Sequence, residues 1–176
     1  GSVMRQKNLI TIAYFEPKDV LPFIGDEKKE YFVDGVPYLV KMNSLRYITF
    51  AKSISCVICG LEGTIMALER FPADRVYHFN LYARQEEHWM LFTKDHILPR
   101  CQGGTDHPDN LQTMCSYCNR QKGGLTPAQA VLLEKWKSER NYQFSNTECR
   151  RKIESLIRDK DGKDADHGRV SVGDTR

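Results

Sequence analysis

The stretch of sequence that decides the fold is residues 94–124, which read KDHILPRCQGGTDHPDNLQTMCSYCNRQKGG. It begins with Lys-Asp-His, directly after an apolar segment that we predict to be a strand. A turn-rich loop follows, and the stretch ends in Cys-x2-Cys followed by Asn, Lys and two Gly. A polar Asp-His pair at the end of an apolar strand is unusual. Taken alone, however, it has a simpler interpretation, which is a strand end with a polar cap.

The other Cys-x2-Cys of the chain lies further towards the N-terminus. Four of the six cysteines thus form two such pairs, Cys56 with Cys59 and Cys115 with Cys118. In an intracellular chain this spacing favours a metal site over disulfides. Four thiolates complete a tetrahedral Zn²⁺ site with no open position, so the ion would stabilise the fold and do no chemistry itself. The alternative is four unrelated cysteines that happen to be paired.

The gap between the two pairs is long, and it implies an inserted segment. Residues 61–92 are rich in aromatic residues, and within them we predict strands at 76–83 and 88–94 that form a hairpin. The remaining cysteines, Cys101 and Cys149, have no partner pattern, and we expect each to be a buried or free thiol.

Several short motifs occur in one order across residues 54–124: Cys-x2-Cys, Asp-His-Ile-x-Pro, Gly-Gly, Asn-Leu-Gln and Cys-x2-Cys-Asn-x2-Lys. Together they resemble the HNH nucleases of the ββα-metal fold, of phage or bacterial type. The last position of the pattern is Asn119, where many members of the family have His. The resemblance is therefore closest to the Asp-His…Asn variant seen in the HNH domains of CRISPR effector nucleases.

The resemblance implies a role for each residue of the motif. His96 would be the general base that activates water, and Asp95 and Asn119 would hold one catalytic Mg²⁺ or Mn²⁺ ion. Asn110 would hold the loop that orients His96. These residue types suit phosphodiester hydrolysis, since imidazole is a good base near neutral pH and hard oxygen ligands suit these ions.

Basic residues around the motif indicate the substrate. The net charge of +3 is too small to prove a nucleic-acid partner. Local charge is more informative, because Lys and Arg neutralise phosphates without sequence preference. The candidate nucleic-acid contacts are Lys94, Arg100, Arg120 and Lys122, each of which has a solvated surface position as its simpler interpretation. The basic residues at 150–152 are equally consistent with a nucleic-acid contact and with a solvated surface.

The expected fold is α+β, a ββα-metal core with added elements at both ends. Residues 1–43 form a β-rich extension with a hairpin at Asp34-Gly35. The core is 44–125, with the hairpin 61–92 inserted; it starts with a helix capped by Ser44. We expect strands at 88–98 and 111–114, a helix at 116–122, C-terminal helices over 126–159 and a disordered tail, 160–176.

The function expected from these observations is a DNA endonuclease that nicks one strand. Cleavage of both strands would need a homodimer or sequential nicks, and the dimer is left open. No run of residues is long and apolar enough for a membrane span, so we expect a cytoplasmic protein of a bacterial or phage-infected cell. The alternatives are a non-catalytic zinc module that binds nucleic acid, and a protein-interaction or inhibitor domain on the same scaffold. Specificity, DNA or RNA preference and biological role are left open.

Overall fold

The structure is a computed structural model that describes the backbone of residues 8–169 and the side chains of residues 8–159. The chain divides into two compact units, one that ends at Asn119 and one that begins at Arg120. None of the helices described within this range is long and apolar enough to cross a membrane. The elements follow in the order β1 (Ile10–Phe15), β2 (Lys29–Val33), β3 (Val36–Val40), α1 (Leu45–Lys52), β4 (Ile65–Arg70), β5 (His78–Gln85), β6 (His88–His96), β7 (Leu111–Cys115), α2 (Ser116–Lys122), α3 (Pro127–Glu139) and α4 (Asn146–Arg169).

The first unit contains a five-stranded antiparallel sheet of order β1-β4-β5-β6-β7. The expected strands near 76–83 and 88–94 are present as β5 and β6, but β4 was not predicted. Met66, Ala67 and Leu68 are all fully buried, so β4 lacks the alternation that marks a strand with one wet face. The segment 61–92 is therefore more than the single hairpin we expected: it supplies β4, β5 and the start of β6.

The hairpin at Asp34-Gly35 is confirmed as a separate two-stranded sheet, β2 with β3. Asp34 and Gly35 both have positive φ, 51° and 81°, which is the backbone of the tight turn that matches strand twist. Pro37 lies on β3, whose ladder has β2 as its partner, as an edge position requires.

Helix α1 begins where Ser44 predicts, since the Ser44 side chain accepts a hydrogen bond from the Arg46 backbone N–H. Its buried face carries Tyr47, Thr49 and Phe50. Tyr47 accepts a hydrogen bond from the backbone N–H of Phe79, 2.8 Å away, which fixes the helix against β5.

The C-terminal end of the sheet positions the motif residues. β6 pairs with β7 from Phe92 opposite Cys115 to His96 opposite Leu111. α2 follows β7 without a loop, so strand, strand and helix come in the order that we expected for 88–122. The mixed α+β class is confirmed.

The second unit is helical, and both of its helix starts follow the sequence signals. The Thr126 side chain caps α3 and forms a capping box with Gln129, and Ser145 does the same with Glu148 at α4. On α3, Leu133 is buried, whereas Val131 is 67% exposed. Ala130 is also exposed.

Helix α4 continues to Arg169, beyond residue 159 where we expected the helix to end. Once a helix has started, each added residue gains a hydrogen bond at small entropic cost, so a polar sequence can extend it. The rest of the expected tail, residues 170–176, lies outside the described part of the chain.

Candidate active site and cysteine cluster

The two Cys-x2-Cys pairs come together in the first unit. The sulfur atoms of Cys56, Cys59, Cys115 and Cys118 all lie within 4.8 Å of one another, and all four residues are buried. Cys59 Sγ and Cys115 Sγ are 3.9 Å apart. A tetrahedral Zn²⁺ with bonds of ~2.3 Å separates its sulfur ligands by ~3.8 Å, so the donor set fits this ion.

Backbone hydrogen bonds shape the first pair into a tight loop. The Cys56 N–H donates to Leu61 O at 2.8 Å, and the Gly60 N–H donates to Cys56 O at 2.9 Å. Gly60 has φ of 79°, a left-handed conformation that glycine adopts without steric strain. The Val57 N–H then donates to Thr113 O, which joins this loop to β7.

The second pair spans the junction of β7 and α2. Cys115 is the last residue of β7, and Cys118 is one turn into α2. The Cys118 N–H points at Cys115 Sγ, 3.5 Å away. A strand that turns directly into a helix therefore places both sulfurs on the same side.

The crowding of the four thiols perturbs their acidity. Hydrogen bonds from the Cys115 and Cys118 thiols lower the pKa of Cys56 far below its ordinary value, and the same neighbours lower the pKa of Cys59 to about 7. In contrast, its hydrogen bond with Cys115 raises the pKa of Cys118 strongly. One thiolate is thus favoured while full ionisation is opposed by mutual repulsion, a repulsion that a divalent cation removes.

Asp95 and His96 end β6. Asp95 lies opposite Gln112 of β7, and its Oδ2 accepts a hydrogen bond of 3.1 Å from Gln112 Nε2. His96 Nε2 lies 2.8 Å from Asp106 Oδ1. This second contact is with a residue that none of the sequence motifs includes.

Asp106 is also held by Arg100. Arg100 Nε lies 3.1 Å from Asp106 Oδ1 and 3.5 Å from His96 Nε2, so its hydrogen bond belongs to the carboxylate. Arg100 and then His96 lower the pKa of Asp106 to about 2. An ionised carboxylate can only accept hydrogen bonds, so His96 Nε2 is the donor of this contact.

Asn110 bridges the loop between β6 and β7 with its side chain. Its Oδ1 accepts from the Leu98 N–H at 2.9 Å, and its Nδ2 donates to Leu98 O at 3.1 Å and Thr105 O at 2.8 Å. Its own backbone carbonyl accepts from the Ile97 N–H. These contacts are those of a residue that holds the loop following His96.

Backbone geometry explains why this loop contains two consecutive glycines. Gly103 has φ of 92°, and a Cβ on Gly104 would lie 1.7 Å from the carbonyl oxygen of Leu98. The loop therefore folds back on the chain that leaves β6, and this approach requires glycine at position 104, whereas the left-handed backbone favours glycine at position 103.

Asn119 lies on the exposed side of α2 and contacts β6. Its Nδ2 donates to Thr93 Oγ1 at 3.3 Å. Thr93 and Asp95 are two residues apart on one strand and therefore project from the same face of the sheet, ~7 Å apart. Asn119 thus lies beside the strand face that carries Asp95.

The expected basic contacts have different surroundings. Arg100 lies against Asp106 and His96, and Lys94 is partly buried on β6. Arg120 and Lys122 occupy the last turn of α2.

Lys52 is another residue that reasoning from the sequence missed. Its Nζ donates to Pro108 O and, at 2.9 Å, to Leu111 O, on either side of Asn110. No local signal identifies it, because Lys52 is far from the loop in sequence. Asp106 had a weak signal, its place in the loop after Gly-Gly.

Comparison with known proteins supports the assignment of the motif. The HNH endonuclease family model matches residues 81–124, which confirms the HNH resemblance over this segment. The match includes Asp95, His96, Asn110 and Asn119, and it indicates nuclease activity or nucleic-acid binding. No curated protein and no solved structure matches the chain.

Proposed function

We propose that this protein is a divalent-metal-dependent DNA endonuclease that hydrolyses phosphodiester bonds. The observation that carries the proposal is that the HNH match covers the strand, loop, strand and helix on which Asp95, His96, Asn110 and Asn119 lie. Asp95 and His96 end β6, Asn110 holds the following loop, and Asn119 lies beside the same strand. We interpret this arrangement as a ββα-metal site.

His96 is the general base in this mechanism. His96 Nε2 keeps its proton and donates a hydrogen bond to Asp106. The Nδ1 lone pair of the same ring then takes a proton from the attacking water. Asp106 stabilises the imidazolium that results, in the manner of the acidic member of a catalytic triad. Asn110 keeps the loop closed while the charge on the ring changes.

Asp95 and Asn119 would hold the Mg²⁺ or Mn²⁺ ion, because a carboxylate and an amide carbonyl are the hard oxygen donors that these ions prefer. When bound, the ion supplies positive charge that stabilises the transition state at phosphorus. The Gln112 contact keeps one oxygen of Asp95 in a fixed direction.

The cysteine cluster is the proposed structural Zn²⁺ site, and residues 44–125 are the proposed nuclease core. The sulfur positions support four-coordinate binding without an open position. Reduced thiols are required for such a site, which favours a cytoplasmic location. The contribution of Zn²⁺ is to the fold, so catalysis is assigned to the other site alone.

One active site of this kind cuts one strand at a time, so we propose nicking of DNA. Lys94, Arg100, Arg120 and Lys122 are the proposed phosphate contacts. Cutting of both strands would require two sequential events or two copies of the chain. The chemistry does not select DNA over RNA; the preference for DNA rests on the HNH resemblance.

A plasmid assay tests the proposal. We expect the protein to convert supercoiled plasmid to the open circle with Mg²⁺ or Mn²⁺, and His96→Ala to abolish this activity. His88→Ala is the matched control, since His88 is an exposed histidine at the other end of β6. Nicking that survives His96→Ala would contradict the mechanism. Binding of DNA or RNA without cleavage by any divalent ion would favour a non-catalytic module.

A further inference from the structure

A basic cleft lies at the N-terminal end of α1, in the first unit. Its volume is about 630 Å³, and it is bounded by the β2–β3 hairpin and the segment that leads into β5. Four cationic side chains line it: Lys28, Lys41, Arg46 and Arg75. Among the described residues that line the cleft there is no Asp or Glu, so the cleft attracts anions.

Three of the four cations are available to a ligand. Lys28, Lys41 and Arg75 are exposed, and none of them forms an ion pair with any residue of the described part of the chain. The nearest acid in sequence, Asp74, is outside the lining. These three side chains are therefore not held in ion pairs within the described part of the chain.

The fourth cation is fixed in place. The Arg46 guanidinium donates to Asn80 Oδ1 and to Phe79 O, each at 2.9 Å. Asn80 in turn donates to the buried carboxylate of Glu69 at 2.8 Å. Arg46 thus forms a rigid floor for the cleft, and its position is set by the central strands.

Tyrosine rings complete the lining. Tyr38 of the hairpin and Tyr77 before β5 are partly exposed, and their rings meet edge to face at 5.1 Å. Cations combined with aromatic rings are typical of sites for single-stranded nucleic acid, where phosphates bind Lys and Arg and unpaired bases contact rings. An acidic peptide would use the cations but would have no need of the rings.

The cleft and the candidate active site are at opposite ends of the same short helix. Arg46 is in the first turn of α1, and Lys52 at the other end binds the carbonyls of Pro108 and Leu111 around Asn110. A helix of eight residues is ~12 Å long, a distance that a few nucleotides of one strand can span.

We propose that this cleft binds an unpaired strand of the nucleic acid that the candidate active site cleaves. Its phosphates contact Lys28, Lys41 and Arg75, and its bases contact Tyr38 and Tyr77. The proposal rests on the proposed nuclease function, and it adds a preference for substrates with single-stranded segments, such as forks, flaps or overhangs.

Fluorescence anisotropy with no added divalent ion tests the proposal without cleavage. The double variant Lys41→Glu/Arg75→Glu should bind a labelled single-stranded oligonucleotide at least ~10-fold more weakly. The slope of log K against log salt should become shallower by ~1.4, because each lost phosphate contact on a single strand contributes ~0.7. The affinity for a blunt duplex of the same sequence should change much less.

The matched control is Lys18→Glu/Lys135→Glu, which changes the net charge equally at two exposed lysines outside the cleft. Equal weakening by both double variants would mean that overall charge drives binding, and the proposal would be wrong. A loss confined to the duplex would contradict the single-strand assignment.

Further measurements identify which phosphate-bearing or acidic ligand the cleft binds. They also show whether the cleft proposal and the nuclease proposal fail separately. The double variant could lose tight binding of a free nucleoside monophosphate while its affinity for the oligonucleotide stays unchanged. This result would make the cleft a small-molecule site and would contradict the proposal. Polyglutamate that competes as well as the oligonucleotide would indicate a protein partner. If the cleft variant loses binding while wild-type protein never nicks plasmid, the cleft proposal stands as a binding site and the nuclease proposal fails.

Discussion

Asp106 connects the glycine-rich loop to His96 at the end of β6. Its carboxylate faces His96 Nε2 on one side and the Arg100 guanidinium on the other. Because its pKa is about 2, the group is ionised over the whole neutral range and always acts as an acceptor. At the residue scale, the proposed mechanism makes Asp106 a positioning residue, which selects the tautomer of His96 and makes no proposed contact with the substrate.

The variant Asp106→Asn tests this role. The amide keeps the size of the side chain but removes its charge, so the His96 tautomer is no longer fixed. We expect kcat for plasmid nicking to fall about 10-fold to 100-fold with KM unchanged. Asp106→Glu should restore part of kcat, which a purely structural role would not predict.

Asp109→Asn is the control for that series, since Asp109 is in the same loop with its side chain 91% exposed. It should leave kcat within about 2-fold of wild type. An Asp106→Asn protein with wild-type kcat, or with the loss confined to KM, would contradict the positioning role.

At the scale of elements, the cysteine cluster joins a loop before β4 to the β7–α2 junction. Both parts have local sequence signals, so the ligand set could be predicted from spacing alone. Their distance in space could not be predicted, because it depends on the pairing of the four strands between them, β4 to β7. The cluster therefore links the segment before β4 to the end of β7 and the start of α2.

We expect purified protein to hold about one Zn²⁺ per chain, measured by elemental analysis. Cys115→Ser should lose the ion and several kcal/mol of stability, because metal binding and folding are coupled. Cys101→Ser should keep both, since Cys101 is exposed and outside the cluster. A metal-free wild-type protein of full stability would refute the zinc assignment.

Glu69 of β4 is a buried carboxylate that ties three strands together. It accepts hydrogen bonds from Thr11 at 2.6 Å, Asn80 at 2.8 Å and Tyr82 at 2.7 Å, with its side chain fully buried. A carboxyl group can be buried in this sheet because its oxygens accept hydrogen bonds from these three side chains.

Glu69→Ala should lower the free energy of unfolding by about 3 kcal/mol, because three donors, two of them buried, lose their acceptor. Urea denaturation measures this change. Glu87→Ala, at an exposed position in the β5–β6 turn, should change it by less than about 0.5 kcal/mol. Equal stability of the two variants would show that the buried network contributes nothing.

At the scale of the whole molecule, prediction from sequence succeeds where signals are local. The Asp34-Gly35 turn, the caps Ser44, Thr126 and Ser145 and the cysteine spacing each depend on neighbouring residues only. The strand β4 has no such local signal. It is recognisable only because it pairs with β1 on one side and with β5 on the other.

The candidate site shows the same limit. Asp95, His96, Asn110 and Asn119 belong to short motifs, so the order of residues along the chain is enough to identify them. Asp106 and Lys52 could not be identified in this way, since their roles depend on which atoms the folded loop brings within hydrogen-bond distance. The cationic cleft draws on the hairpin, α1 and the chain before β5, so no single segment of sequence contains it.

The closing of the cysteine cluster also has a consequence for the unfolded chain. A metal ion that joins residues 56–59 to 115–118 forms a ring that contains β4, β5, β6 and β7. Closing a ring of this length costs about 3–4 kcal/mol of chain entropy by the logarithmic loop law. If the ion stays bound during unfolding, that entropy is already lost in the unfolded state, so the sheet would reform from a chain that is tethered before β4 and at the end of β7.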